Sequence, residues 1–131
     1  MRFGWSSWSL DVPDDWSVIE HAECLSVTRS DGALQASSAH KEVGVVTERD
    51  LLFDEEERRA WGCWKPVQYG EFVGIVYRYF HEEIVWRRWF LRNGPTLLFV
   101  TYNGTIDAAE RDSLAVSSIL STLRVEASSD A

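Results

Sequence analysis

Four apolar segments in close succession limit the possible folds of this chain more than any other feature of its sequence. PVQY, FVGIVYRYF, IVWRRWFLR and TLLFVTYN lie between residues 66 and 103 and are separated only by GE, HEE and NGP. Short runs rich in aromatic and β-branched residues, bounded by turn residues, are typical of strands joined by tight turns. The block therefore predicts an antiparallel meander.

The last two of these strands have no polar face. A two-residue turn at Asn93 and Gly94 would place Trp89 opposite Leu98. One face would then carry Val85, Trp89, Leu91, Leu98, Val100 and Tyr102, and the other Ile84, Trp86, Phe90, Leu97 and Phe99. An antiparallel sheet with one solvated face alternates apolar and polar residues. We therefore expect both faces of this sheet to be covered, at least in part by a second protein.

The first half of the chain also predicts strands. Trp8, Leu10 and Val12 alternate with polar residues up to Pro13, which is the period of a strand with one buried face. The segment CLSVTRSDGALQASS alternates on both sides of Asp31-Gly32, which predicts a hairpin turning at these two residues.

Two further segments predict helices. Thr47 can cap a helix over 48–61 whose third residue is Asp50, and Val46 and Leu51 are spaced as a hydrophobic staple. Beyond Phe53 this helix is polar, and its acidic run DEEE is typical of a solvated face. A second helix, beginning near Asp107 and Glu110 and ending near Arg124, carries an apolar stripe formed by Val116, Ile119, Leu120 and Leu123.

Length and composition are those of one soluble domain. A chain of 131 residues can bury a core of its own, and no linker or repeat divides it. We expect a single α+β domain over 1–125, with an antiparallel sheet of six to seven strands flanked by two helices, and a disordered tail over 126–131. An aromatic content of 13% predicts a ring-rich interior, and a net charge of −8 argues against nucleic acid as a partner.

The sequence predicts a cytoplasmic protein that does not bind a membrane. The N-terminal MRFGWSSWSL lacks the apolar run of a signal peptide, and no stretch has the eighteen or so apolar residues of a membrane span. Cys24 and Cys63 are isolated from each other and from any zinc-binding pattern. We expect two buried free thiols, and no metal or other cofactor.

Several segments resemble the PsbP-like family, which includes small Ran-binding nuclear import factors and bacterial DcrB-like proteins. WSLDVPDDW is similar to the strand, proline turn and tryptophan that open the family's fold, and QYGEFVGIVYRYF to the hairpin that enters its second half. LLFVTYN and AVSSILSTL resemble its late strand and closing helix. Family members are mostly binding proteins, chaperones or assembly factors, and some bacterial relatives act as chaperones of toxin effectors. The resemblance thus implies an α+β fold and a binding function.

The arginines of WRRWFLR are the first candidates for a binding site. Arg87 and Arg88 must point to opposite faces of one strand and both have aromatic neighbours. They could pair with the protein's own acids at the sheet margin. Alternatively, an arginine in an aromatic-walled concavity could bind a carboxylate of a partner. The candidate partner-binding residues are Arg78, Trp86, Arg87, Arg88, Phe90 and Trp5, whereas Trp8 and Trp16 are expected in the core.

A second candidate site is a histidine and glutamate cluster. If the Asp31-Gly32 hairpin has a strict two-residue turn, His21 faces Glu42 and Glu23 faces His40. These four side chains could hold a divalent metal or form two cross-strand ion pairs.

No nucleophile motif or phosphate-binding loop accompanies these residues. We therefore expect a non-catalytic protein-binding adaptor or chaperone-like factor. Its partner would be another protein, for example a secreted effector or toxin, or a second copy of the chain. The alternative is a small metal-dependent enzyme or ligand-binding protein that uses the histidine and glutamate cluster.

Overall fold

The computed structural model describes residues 1–4, 7–52 and 59–126. In chain order its elements are β1 (Arg2–Gly4), β2 (Trp8–Asp11), β3 (Ser17–Glu20), β4 (Leu25–Arg29), β5 (Gly32–His40), α1 (Glu48–Leu51), β6 (Trp64–Tyr69), β7 (Phe72–His81), β8 (Ile84–Asn93), β9 (Thr96–Gly104), α2 (Ile106–Ser121) and β10 (Arg124–Val125). The predicted meander corresponds to β6 to β9.

The strands form two antiparallel sheets. Seven strands make the large sheet in the order β3-β4-β5-β9-β8-β7-β6, and three make a small sheet in the order β1-β2-β10. The predicted α+β class is confirmed. The small sheet was not predicted, because β1 and β10 have only three and two residues and such short strands do not establish a period of two.

Two predicted turns are displaced by one residue each. Arg29 pairs with Gly32, so the first hairpin turns at Ser30 and Asp31 instead of Asp31-Gly32. Asn93 pairs with Thr96, so the second turns at Gly94 and Pro95 instead of Asn93-Gly94. The first turn residue has a positive φ in both hairpins, 46° at Ser30 and 53° at Gly94. Each displacement changes the pairing by two residues, which leaves every side chain on its predicted face.

Each face of the large sheet packs against a different cover. On the face that we call the helix face, the core consists of Leu25, Val27, Leu34, Trp89, Leu91, Leu98, Val100 and Tyr102, with Val116, Ile119, Leu120 and Leu123 from α2 and its C-terminal end, and Trp8 and Leu10 from β2. On the opposite loop face, a smaller core consists of Val46, Leu51, Ile75, Tyr77 and Phe90, packed against Leu52, Trp61, Leu97 and Phe99. Segments of this chain therefore cover much of the second face.

The helix ends show which capping predictions hold. Thr47 caps α1 and forms the predicted capping box with Asp50, whereas residues 53–58 of the predicted helix lie outside the described residues. α2 is capped by Thr105, whose side chain accepts a hydrogen bond from the Ala108 N–H, and it ends at Ser121. The helix therefore begins one residue from the predicted start near Asp107. It ends three residues before the predicted end near Arg124, because the chain leaves α2 early to pair β10 with β2.

Three smaller observations bear on the sequence predictions. Of the predicted tail only Glu126 is described, and its N–H donates a hydrogen bond of 3.1 Å to the Ser7 carbonyl. Both cysteines are free, but Cys24 is half-buried and Cys63 exposed, so the predicted burial is wrong. Among the described residues, no helix has both the length and the apolar character needed to cross a bilayer.

Candidate partner-binding site

The β7–β8 hairpin distributes the candidate arginines over both faces of the large sheet. Arg78 lies directly opposite Arg87, on the helix face. Arg88 pairs with Tyr77 and points to the loop face. The arginines predicted as one group therefore belong to two separate sites.

On the helix face, Lys65, Arg78 and Arg87 line a cleft that we call the basic cleft. Lys65 reaches it because it pairs with Val76, next to Arg78. One part of the cleft, about 350 Å³, is lined by Cys63, Lys65, Val76, Arg78 and Arg87. A second part, about 370 Å³, is lined by Arg78, Val85, Arg87, Ala109, Glu110 and Ser113, which places it between the hairpin and the first turns of α2.

The cations of the basic cleft form no ion pair within the described part of the chain, where Glu110 is the one acidic residue that lines the cleft. No carboxylate oxygen there lies within 4.0 Å of the side-chain nitrogens of Lys65, Arg78 or Arg87. The Arg87 guanidinium lies 4.6 Å from the centre of the Trp89 ring. Burial lowers the pKa of Arg87, and the nearby charge of Arg78 lowers it further. Like charges directly opposite each other destabilise a sheet, so this pair costs folding free energy unless an anion binds.

Two exposed apolar residues are neighbours of residues that line the cleft. Phe80, on the same face as Arg78, is 57% exposed. It pairs with Val85, which pairs on its other side with Gly104 at the end of β9. Ile106, two residues after Gly104, is also largely exposed. A cationic cleft with an apolar border is the pattern of a site that binds an anionic group attached to an apolar one.

The remaining predicted contact residues lie elsewhere. Arg88 is enclosed by aromatic rings on the loop face, with its guanidinium carbon 4.8 Å from the ring centre of Trp61 and 5.1 Å from that of Trp86. Phe90 is only 2% exposed and packs inside the smaller core, where it supports the sheet. Trp5 lies outside the described residues.

The proposed pairing of histidines with glutamates does not form. His21 and Glu23 lie in the loop between β3 and β4, because β4 begins only at Leu25. His40 ends β5 and pairs with Thr96, whose Oγ1 lies 3.1 Å from the His40 Nδ1. In the described part of the chain, no three His, Cys, Asp or Glu side chains are grouped so that they could hold a metal ion. The prediction of an Asp31-Gly32 register was wrong, and with it the predicted facing of these residues.

Sequence reasoning missed a buried carboxylate. Asp112 on α2 is fully buried, accepts a hydrogen bond of 2.8 Å from the Tyr102 hydroxyl, and forms ion pairs of 2.7 Å with Arg29 and 2.9 Å with Arg111. The burial of Asp112 could have been predicted from the sequence, because this residue lies one helical turn before Val116, within the apolar stripe. With its charges paired inside the protein, this network is structural.

Comparison with known proteins identifies relatives in fold. No model of a protein family matches the chain, and no curated protein sequence matches it. A structure from Bacteroides thetaiotaomicron VPI-5482 is similar with a TM-score of 0.63 and 14% identity, over 91% of this chain and 45% of that one. This chain thus spans less than half of that protein's length.

Two further solved structures are similar. LpqN of Mycobacterium tuberculosis, described as involved in cell envelope biogenesis, has a TM-score of 0.59 and 13% identity, over 91% of this chain and 83% of LpqN. The cyanobacterial PsbP of Synechocystis sp. PCC 6803 has a TM-score of 0.49 and 10% identity, over 95% and 91% of the two chains. A PsbP is thus among the similar structures. At these identities, the likeness to the first two proteins shows a shared fold alone.

Proposed function

We propose that this protein is a non-catalytic adaptor or chaperone-like factor that binds an acidic segment of a partner protein in the basic cleft. The observation that carries the proposal is the pair of directly opposed arginines, Arg78 and Arg87, without an acidic partner among the described residues. In a chain with a net charge of −8, the three cations that line the cleft outnumber its one described acidic residue, Glu110, and so give the cleft a sign opposite to that of the molecule as a whole. Such local complementarity selects partners and speeds their association.

The partner's acidic group would be held by bidentate or paired hydrogen bonds from the guanidinium groups. An adjoining apolar residue of the partner would then rest on Phe80 and Ile106, the exposed border of the cleft. The first partner class to test is a secreted effector or toxin, which the resemblance to effector chaperones supports. The free thiols of Cys24 and Cys63 are in keeping with a reducing compartment such as the cytoplasm.

The test uses charge reversal at the cleft with a matched control. The protein is titrated with a synthetic peptide that contains Glu and Phe residues, and the arginine Nε–H signals are followed by NMR. Arg78→Glu and Arg87→Glu should each weaken binding at least tenfold. Arg124→Glu, which makes the same charge change at an exposed position on β10, should leave binding unchanged. Thermal melts of all variants verify folding.

The same variants serve as bait in an extract of the source organism. A partner that is captured by the wild type and by Arg124→Glu, but not by Arg78→Glu, supports the proposal. Peptide binding that is equal in all variants would overturn it. Sizing of the wild type in solution shows whether the partner is a second copy.

A further inference from the structure

Three aromatic rings on the loop face form a continuous parallel stack. Trp61 and Tyr79 are 5.9 Å apart at 5°, and Tyr79 and Trp86 are 6.2 Å apart at 6°. Arg88 fixes the stack, since its Nε donates a hydrogen bond of 2.7 Å to the Tyr79 hydroxyl and its guanidinium lies near all three rings. The stack is therefore an aromatic platform that forms without a ligand.

The platform ends at Trp86, and beyond Trp86 there is a groove. Trp86 pairs with Asn103 on β9 and is only half-buried. The groove has a volume of about 270 Å³, and the residues that line it include Gln35, Ser37, Trp86, Arg88, Thr101 and Asn103. We call it the tryptophan groove. It lies on the face opposite to the basic cleft.

The polar groups of the tryptophan groove are mostly free to bind a ligand. Within the described part of the chain, the side chains of Ser37, Thr101 and Asn103 form no hydrogen bond, and Gln35 has only a long one of 3.3 Å to the Ser26 hydroxyl. Only the Nε of the Arg88 guanidinium is engaged in a hydrogen bond. Amide and hydroxyl groups both donate and accept hydrogen bonds, whereas guanidinium only donates. Among the described residues, no carboxylate lines the groove.

We propose that the tryptophan groove binds the ring of a neutral sugar. A pyranose presents C–H groups on one side, which can rest on the Trp86 ring, and hydroxyl groups at its edge, which match the amides and hydroxyls of β5 and β9. Pockets that bind drug-sized ligands have volumes of about 300 to 1,000 Å³, so a groove of about 270 Å³ fits one small ring.

Other ligand classes fit the groove less well. An apolar ligand would leave Gln35, Thr101 and Asn103 without partners, which costs free energy. A nucleotide would bring phosphates to a chain whose net charge is −8, and Arg88 is the one cation among the described residues that line the groove. A neutral hydroxylated ring has neither disadvantage.

The test is an NMR titration of the full chain with glucose, galactose, mannose and N-acetylglucosamine, with adenosine as the competing class. At least one sugar should shift the side-chain amide signals of Asn103 and Gln35 and the indole signal of Trp86. Trp86→Ala should lower the affinity for that sugar at least tenfold, whereas Trp86→Phe should retain part of it. Trp64→Ala should leave the affinity unchanged, because Trp64 is a partly exposed tryptophan on the same face that does not line the groove.

Saturable binding of adenosine but of no sugar would overturn the proposal, and so would the absence of any shift at these signals. Sugar binding that survives Trp86→Ala would place the site elsewhere and overturn it as well. Arg78→Glu, on the opposite face, is not expected to affect sugar binding, so failure here and failure of the proposed protein-binding function are distinguishable.

Discussion

Asp112 illustrates how a single residue can set the conditions under which this protein is stable. Burial by itself would raise the pKa of this carboxyl group. The hydrogen bonds from Arg111, Arg29 and Tyr102 outweigh burial and hold its pKa below the ordinary value. The same network raises the pKa of Tyr102, first through burial and then through its bond to Asp112. Asp112 is therefore charged, and fully paired, at neutral pH.

We expect Asp112→Asn to lower the free energy of unfolding by about 3 kcal/mol at pH 7, because removing one partner of a buried ion pair leaves the other charges uncompensated. Urea denaturation measures the loss. The control is Asp107→Asn, an exposed residue in the first turn of α2, where the change should stay within about 0.5 kcal/mol. Equal stability of the two variants would contradict this account of Asp112.

The stability of the wild type should also depend on pH in the acid range. Because the pKa of Asp112 is lowered by folding, its contribution is complete above the unfolded value of about 4 and is lost as the pH falls through the folded value. Asp50, whose pKa is lowered to about 2 chiefly by Lys41, acts in the same direction. The urea midpoint should stay level from pH 7 to 5 and fall below pH 4. The fall should be smaller in Asp112→Asn.

At the scale of elements, the two helices whose bounds are described differ in how they are anchored. α1 has four residues and depends on a capping box together with the burial of Leu51. α2 has sixteen residues and its apolar stripe packs against the large sheet. Its first turn is fixed by Thr105, and this turn also forms one wall of the basic cleft.

We expect Thr105→Ala to destabilise the protein by about 1 kcal/mol, the usual cost of losing an N-cap side chain. Thr105→Ser keeps the capping oxygen and should retain most of the stability. Chemical denaturation compares the two, and an alanine variant as stable as the serine variant would show that the cap contributes nothing.

The long strands and the long helix were predictable from the sequence because their pattern of apolar and polar residues extends over many consecutive positions. The faces of β8 and β9 were predicted correctly, since a two-residue shift in pairing keeps each side chain on its side. The basic cleft was not predictable to the same extent. The sequence indicates that Arg87 and Arg88 point apart, but only the pairing of β6, β7 and β8 places Lys65 and Arg78 beside Arg87.

At the scale of the whole molecule, Trp8 joins the two sheets. It belongs to β2 in the small sheet, is fully buried, and its Nε1 donates a hydrogen bond of 2.9 Å to the Ser38 hydroxyl on β5 of the large sheet. The burial predicted for Trp8 and Trp16 is confirmed. The tryptophans at positions 8 and 16 are thus part of the architecture.

We expect Trp8→Ala to lower the free energy of unfolding by about 3 to 5 kcal/mol or to prevent folding. Trp8→Phe, which keeps much of the packing and loses the hydrogen bond, should cost less. Trp64→Ala, at a partly exposed edge position, provides the comparison in the same denaturation experiment. A Trp8→Ala variant with the stability of Trp64→Ala would mean that the two sheets do not depend on this contact.

The pairing of β5 with β9 has a consequence for the rate of folding. The strands β3 to β5 and the strands β6 to β9 are each joined by short turns, so each group can form locally. Among the strand pairings of the large sheet, the one between β5 and β9 unites them, and at one end it joins residues that are 56 positions apart in the chain. Closing so long a loop costs entropy before any contact is gained. The sheet should therefore assemble from two fast-forming halves whose docking limits the rate, on a scale of milliseconds to seconds.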